Sequence, residues 1–241
     1  MPTTTDAHHA ADSAESTTLA ALILELDGVA IDTRTVLCEA ATAVLRKAGC
    51  KLNPGLYARH GIFATVPALA EALVENLEVA GTPAQTVADA LTAELDTFLA
   101  GKAQLNPSVE KLIKAANQRG LPVAVLTAMP EEQAQAAVER LGLTASGVRL
   151  FAIKDDEQDG FPRADIWLKV AKSMGKSARF CVAVTSTQVS AKSALSAGLR
   201  CVVVPDSFTS HHDFGGADLV LDSWDDMSAN EMLDAVVPMV R

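Results

Sequence analysis

A chain of 241 residues is long enough for one core domain carrying an insertion or a small second domain. Hydrophobic residues make up 49% of it and aromatic residues 4%, so the core is built from Ala, Val, Leu and Ile, and stacking platforms for bases are scarce. A formal net charge of -10 and a pI near 4.9 repel phosphate backbones and anionic lipid, which argues against nucleic-acid and membrane-surface partners and leaves small molecules and proteins.

Residues 1–18, MPTTTDAHHAADSAESTT, hold no apolar run and no Lys or Arg, and carry acids at Asp6, Asp12 and Glu15, which matches neither a secretory signal nor a transit peptide. They predict a disordered tail on a cytoplasmic protein, with the His8-His9 pair solvated rather than metal-bound. Residues 20–26 (AALILEL) form a short apolar run, the pattern of a strand buried on both faces, and the run ends at Asp27-Gly28. From 35 to 104 the spacing turns helical in TVLCEAATAVLRKAG, VPALAEALVENLEVAG and AQTVADALTAELDTFLA, with Gly49, Gly81 and Gly101 as terminators. The expectation is an inserted three-helix domain over 35–104, with the core formed by 19–34 and 105–241.

From Ser108 on, helix and strand patterns alternate. SVEKLIKAANQRG reads as a helix, PVAVLT as a strand, PEEQAQAAVERLG as a helix with Pro130 in its first turn, and VRLFAI as a strand. ADIWLKVAKSMG, FCVAVT, TQVSAKSALSAG and RCVVVP continue the alternation, and the chain closes with ADLVLD and a helix from about Asp226. The implied fold class is α/β: a Rossmann-like parallel sheet with helices on both faces and an all-helical domain inserted after the first strand. Ligands bind such sheets at the carboxyl ends of the strands, which selects Glu25 to Asp27, Thr127, the loop after Ile153, and Thr185-Ser186. No GxGxxG or GxxxxGK[ST] loop is present. Cys38, Cys50, Cys181 and Cys201 lack zinc-site spacing and read as buried, reduced thiols. No run approaches the roughly 18 apolar residues of a membrane span.

Leu24-Glu25-Leu26-Asp27-Gly28-Val29, followed by Asp32-Thr33, resembles the first motif of the haloacid dehalogenase superfamily, hydrophobic-Asp-x-Asp-Gly-Thr/Val. The helical insertion is similar to the α-helical cap of that family's β-phosphoglucomutase and phosphoglycolate phosphatase branch. Val123-Ala124-Val125-Leu126-Thr127 resembles the second motif, and Gly160-Phe161-Pro162-Arg163-Ala164-Asp165-Ile166 resembles the third-motif segment Gly-Lys-Pro-x-Pro-Asp-Ile. Val184-Thr185-Ser186-Thr187 through Ala197-Gly198 keeps the length of the fourth, which in the family opens on an acidic pair, and Gly216-Ala217-Asp218-Leu219-Val220 also fits.

The resemblance implies phosphoryl transfer through an aspartyl-phosphate. In the family one Asp attacks phosphorus, and the Asp two residues on exchanges a proton with the leaving group and then with water. A Thr or Ser and a Lys hold the transferring oxygens, and an acidic pair completes a Mg²⁺ site. Carried onto this chain, Asp27 matches the acid/base position and Thr127 the phosphoryl-binding one. Glu25 stands at the nucleophile, Phe161 at the lysine, and Thr185 and Ser186 at the metal acids.

The extra methylene of Glu25 displaces the attacking oxygen by about 1.5 Å, and a misplacement of about 1 Å costs on the order of 10²-fold. Phe161 removes a cation from a class of electrostatic stabilisation worth about 2.7 to 4 kcal/mol per donor. Thr185 and Ser186 withdraw carboxylates from a hard-ion site, so any Mg²⁺ rests on Glu25 and Asp27. These losses strike one coupled unit. The expectation is therefore a protein without phosphohydrolase activity and without a cofactor, acting in binding, regulation or assembly, with a protein partner met through the cap or the cleft. The alternative is a haloacid dehalogenase-like hydrolase, of phosphatase or phosphoglucomutase type, with altered active-site residues and Mg²⁺. For that alternative, Asp155, Asp156 and Glu157 are candidate replacement metal ligands and Arg163 a candidate replacement for the lysine charge. A solvated loop is the plainer reading of these, as it is of His211-His212, and Arg59-His60 reads as a pair that a cap helix carries without function.

Overall fold

The computed structural model describes residues 20–62, 65–154 and 161–237. Six strands, β1 (Ala21–Glu25), β2 (Val123–Thr127), β3 (Arg149–Ala152), β4 (Cys181–Thr185), β5 (Arg200–Val203) and β6 (Leu219–Val220), form one sheet in the order β3-β2-β1-β4-β5-β6. Every pairing is parallel. The three central strands are buried at every position, which is why their sequences run apolar without alternation. Successive side chains still leave by opposite faces. Leu22, Leu24, Val123, Val125, Val182 and Val184 pack in one layer of the core, and Ala21, Ile23, Ala124, Leu126, Cys181 and Ala183 in the other.

Helices α5 (Pro107–Gln118), α6 (Glu131–Arg140) and α9 (Ala229–Val236) cover the first face, through residues such as Leu112, Val138 and Leu233. The second face is covered by α7 (Ala164–Ser173) and α8 (Gln188–Ser196), through Ile166, Trp167, Ala191 and Ala194. The sheet with helices on both faces is the fold read from the sequence. Pro130 differs in detail: it is the N-cap of α6, with Glu131 as the first helical residue.

Between β1 and α5 the chain builds the helical cap from α1 (Thr33–Lys47), α2 (Pro54–His60), α3 (Val66–Asn76) and α4 (Ala84–Thr97). Among the described residues four helices stand where three were expected. α2 is only seven residues long and buries only Tyr57, too little for a periodic pattern. Its start was nevertheless written in the sequence: Asn53 accepts the amide hydrogen of Leu56 at 3.0 Å, and Pro54 occupies the first turn. Gly101 does not end an α-helix but lies inside a π turn, Phe98–Lys102.

Leu45, Tyr57, Leu69, Leu73, Val87 and Leu91 form the core of the cap, and one residue from the far side of the chain joins them. Phe208, on the loop between β5 and β6, is buried there and meets Tyr57 edge to face with ring centroids 5.2 Å apart. The sheet domain thus reaches into the cap. Cys38, Cys181 and Cys201 are buried and Cys50 is half-buried, all four free. Burial pushes the thiol of Cys181 up to about 11 and that of Cys201 up to about 12. Among the described residues no helix is long and apolar enough to cross a membrane.

Candidate active site

Register places the motif positions side by side at the carboxyl edge of the sheet. Glu25 pairs with Leu126, so Thr127 stands one residue further along, and Leu24 pairs with Val184, so Thr185 is level with Glu25. Glu25 shares the strand parity of Ala21 and Ile23 and therefore points to the α7–α8 face. There it is 7% exposed, and both of its oxygens are engaged. The hydroxyl of Ser190, in the first turn of α8, donates to Oε1, and the amide of Ser186 donates to Oε2 at 3.4 Å. Burial pushes the Glu25 carboxyl up to about 7 against the lowering effect of Ser190, the Arg34 guanidinium and Ser186, and Asp27 raises it slightly further.

Asp27 lies beyond the strand end, half-buried, and its two oxygens are also taken. The Thr127 hydroxyl donates to Oδ2 at 2.6 Å and the Thr33 hydroxyl to Oδ1 at 3.2 Å. Burial raises this carboxyl too, with Thr127, Thr33 and Arg34 opposing. Thr127 Oγ1 in turn accepts the amide hydrogen of Met129 at 3.0 Å, so this hydroxyl is spent on the protein. The sequence brought Glu25, Asp27 and Thr127 together, and the structure does the same.

Thr185 and Ser186 part company. Thr185 is fully buried with its hydroxyl 3.9 Å from Cys201 Sγ, on the β5 side of the sheet. Ser186 Oγ accepts from Arg34 Nη1 at 2.9 Å, and the same guanidinium nitrogen is paired with Asp206. The Mg²⁺ implied by the resemblance does not fit these groups: one of the two positions that should offer a carboxylate is turned to a thiol and the other holds a cation. Among the described residues no cluster of three or more His, Cys, Asp or Glu side chains could hold a metal ion. Phe161 is half-buried and packs against the α7–α8 core layer. Arg163 forms a two-pronged ion pair with Asp165, through Nε at 3.0 Å and Nη2 at 2.9 Å. Asp155, Asp156 and Glu157, the candidate replacement ligands, lie outside the described residues, as does the His8-His9 pair.

Arg34, Ser190 and Asp206 are the residues that sequence reasoning missed. Phe161 stands where the resemblance implies a lysine, and Arg34 brings a cation to the cleft from the first turn of α1. Its signal was a lone Arg directly after Asp32-Thr33, at a helix start capped by Asp32, which accepts from the Thr35 amide at 3.1 Å. Asp206 sits in a turn that it caps itself, accepting from the amides of Phe208 at 2.9 Å and Thr209 at 3.0 Å. Beside it His212 accepts from the Gln188 amide at 3.3 Å, and burial lowers the pKa of its imidazole.

An acid at the end of β1, a hydroxyl at the end of β2 and a helical cap inserted between β1 and the rest of the sheet define a cap-bearing α/β protein with its candidate site at the carboxyl edge of the sheet. Residues 19–198 match the family of haloacid dehalogenase-like hydrolases, and the chain belongs to that family. Over 217 residues it is 30% identical to the plasmid-encoded protein CbbY of Cupriavidus necator, which covers 83% of this chain and 84% of that protein. Its fold is similar to CbbY from Rhodobacter sphaeroides, solved with phosphate and, as a mutant, with xylulose-(1,5)bisphosphate (TM-score 0.67, 21% identity, 86% of this chain and 95% of that one). It is also similar to β-phosphoglucomutase from Clostridium difficile (TM-score 0.67, 17% identity, 89% of this chain and 96% of that one).

Proposed function

We propose that this member of the family no longer transfers phosphoryl groups by the aspartyl-phosphate route and acts as a binding, regulatory or assembly protein, its partner met through the cap or the cleft. The observation behind this reading is the state of Glu25. A nucleophile must present a free oxygen about 3–3.5 Å from the atom it attacks. Both oxygens of Glu25 are instead bound to α8 and its approach, and the residue is only 7% exposed. The free thiols and the acidic charge suit the cytoplasm.

The comparisons weigh toward a second reading, a hydrolase with altered active-site residues. Similarity to CbbY runs over most of both chains, and Asp27 and Thr127 stand together at the positions the resemblance assigns to acid/base and phosphoryl binding. On that reading the substrate is a phosphate ester, a phosphorylated sugar by analogy with the ligand of the CbbY mutant.

One assay separates the two. Purified protein is incubated with MgCl₂ and a panel of sugar phosphates and aryl phosphates, and phosphate release is followed beside the Asp27→Asn variant. The first reading expects the two to be indistinguishable from the protein-free blank. Turnover that Asp27→Asn abolishes, at any rate up to the typical enzyme value of about 10 s⁻¹, establishes the second.

A further inference from the structure

We propose that the Arg34 guanidinium takes the place of the divalent ion, so that the acidic cleft is held together by a cation belonging to the chain itself. The resemblance implies an ion that the first motif and the acids of the fourth would hold together. Arg34 bridges the same two segments. From the first turn of α1 its guanidinium lies over Gly28 so closely that a Cβ there would overlap Nη1, Cζ and Nη2, so the missing side chain at position 28 is what makes room for it. On the other side Nη1 donates to Ser186 Oγ at 2.9 Å, one of the two positions where the family places a metal acid. Asp206 pairs with the same nitrogen from the β5–β6 loop.

The side chain is 12% exposed, so this is an interior charge and not a surface ion pair. It acts on both Glu25 and Asp27, favouring their ionised forms. Three acids, Glu25, Asp27 and Asp206, thus share one fixed cation. A guanidinium suits the role because it stays charged at every physiological pH and presents several N–H donors in a plane. It also excludes a metal twice, by occupying the volume and by repelling a second positive charge at short range in a weakly screened site. Restoring carboxylates at the fourth motif while Arg34 remains gives Arg34 another partner and leaves the ion no room. The inference does not depend on whether the cleft is catalytic.

The test uses the full chain, Ser186→Asp alone, and Ser186→Asp combined with Arg34→Met, which keeps much of the side-chain length without the charge. Each is titrated with MgCl₂ by calorimetry at neutral pH, after circular dichroism has compared their folds. The native chain and Ser186→Asp should show no heat of binding at millimolar Mg²⁺. The double variant should bind on the order of 10²-fold more tightly than either, the scale of a short-range charge repulsion removed. If the double variant is unfolded without metal, refolding on addition of MgCl₂ but not NaCl supports the proposal in its place. Mg²⁺ binding by the native chain overturns it. So do equal affinities with and without Arg34, and a double variant that neither binds Mg²⁺ nor refolds with it.

Discussion

Replacing Glu25 by Gln should make the protein more stable at alkaline pH than at acid pH, relative to the native chain. In the folded state the Glu25 carboxyl is pushed up to about 7 from its ordinary 4.5, chiefly because burial strips water from the charged form. Below pH 4.5 the group is protonated in both folded and unfolded chains and contributes no pH dependence. Between the two values the folded chain keeps a proton that the unfolded chain has released, so stability falls by about 1.4 kcal/mol per pH unit. Above about 7 both states are ionised and the loss is complete, at about 3 kcal/mol over the whole window. Asp27 is raised as well and adds a loss of the same sign, which the substitution at Glu25 leaves in place. Gln at position 25 cannot ionise; its single amide oxygen can still accept from Ser190, and the loss of the Ser186 amide bond at the other atom is a cost that does not vary with pH. Urea unfolding of the native chain and Glu25→Gln, followed by circular dichroism at pH 5, 6, 7 and 8, should therefore show the variant gaining on the native chain with rising pH. Most of the gain should fall between pH 5 and 7. A difference that stays constant across that window to within about 0.5 kcal/mol shows that the folded Glu25 titrates like an ordinary carboxylate, and the account of its burial fails.

Phe208→Ala removes an aromatic side chain that the sheet domain places in the core of the cap. It should cost about 3 to 5 kcal/mol in urea unfolding and speed proteolysis within α2, where Tyr57 loses its ring partner. An unchanged cleavage rate would show that the cap is not anchored there. Gly28→Ala and Gly49→Ala both place a Cβ at positive φ, 74° and 79°, and each should lose about 1 to 2 kcal/mol for that reason alone. Gly49 faces open space whereas Gly28 faces Arg34, so Gly28→Ala should be clearly the more damaging, and equal losses would remove Arg34 from that position.

Much of the fold was legible because parallel strands buried on both faces are continuous apolar runs, and β1, β2 and β4 have that form. The strand ends followed from the same runs, and this located Glu25, Thr127 and Thr185 at the edge where ligands bind. β6 is harder to see, since its two residues lie at the sheet edge, Leu219 half-buried and Val220 exposed. α2 was invisible to periodicity, although its cap and its proline were there to be read. The partners of the site residues were not legible. Arg34 meets Ser186 across 152 positions of sequence and Asp206 across 172, and neither pairing has a local signature. Strand parity does say that Glu25 faces the α7–α8 layer, but only the docked helix shows that Ser190 is waiting for it.

These partners bear on whether the altered site is a ruin or a rebuilt unit. Removing a lysine and two metal acids from a buried cleft, with nothing else changed, strands charge: each unsatisfied buried polar group costs about 1 to 3 kcal/mol, and a charged one more. Among the described residues no buried side-chain nitrogen or oxygen lacks a hydrogen-bond partner. The substitutions are also mutually fitted. Ser at position 186 accepts from Arg34 where an acid would have held metal, and Asp206 balances the guanidinium. The longer reach of Glu at position 25 is what lets its carboxylate meet Ser190, where Asp would stop one methylene short. Glu25 here ties β1 to α8. The cleft is accordingly a cross-linked junction between the sheet, α8 and the first turn of the cap, and a ligand that enters it must first break contacts that the fold makes with itself.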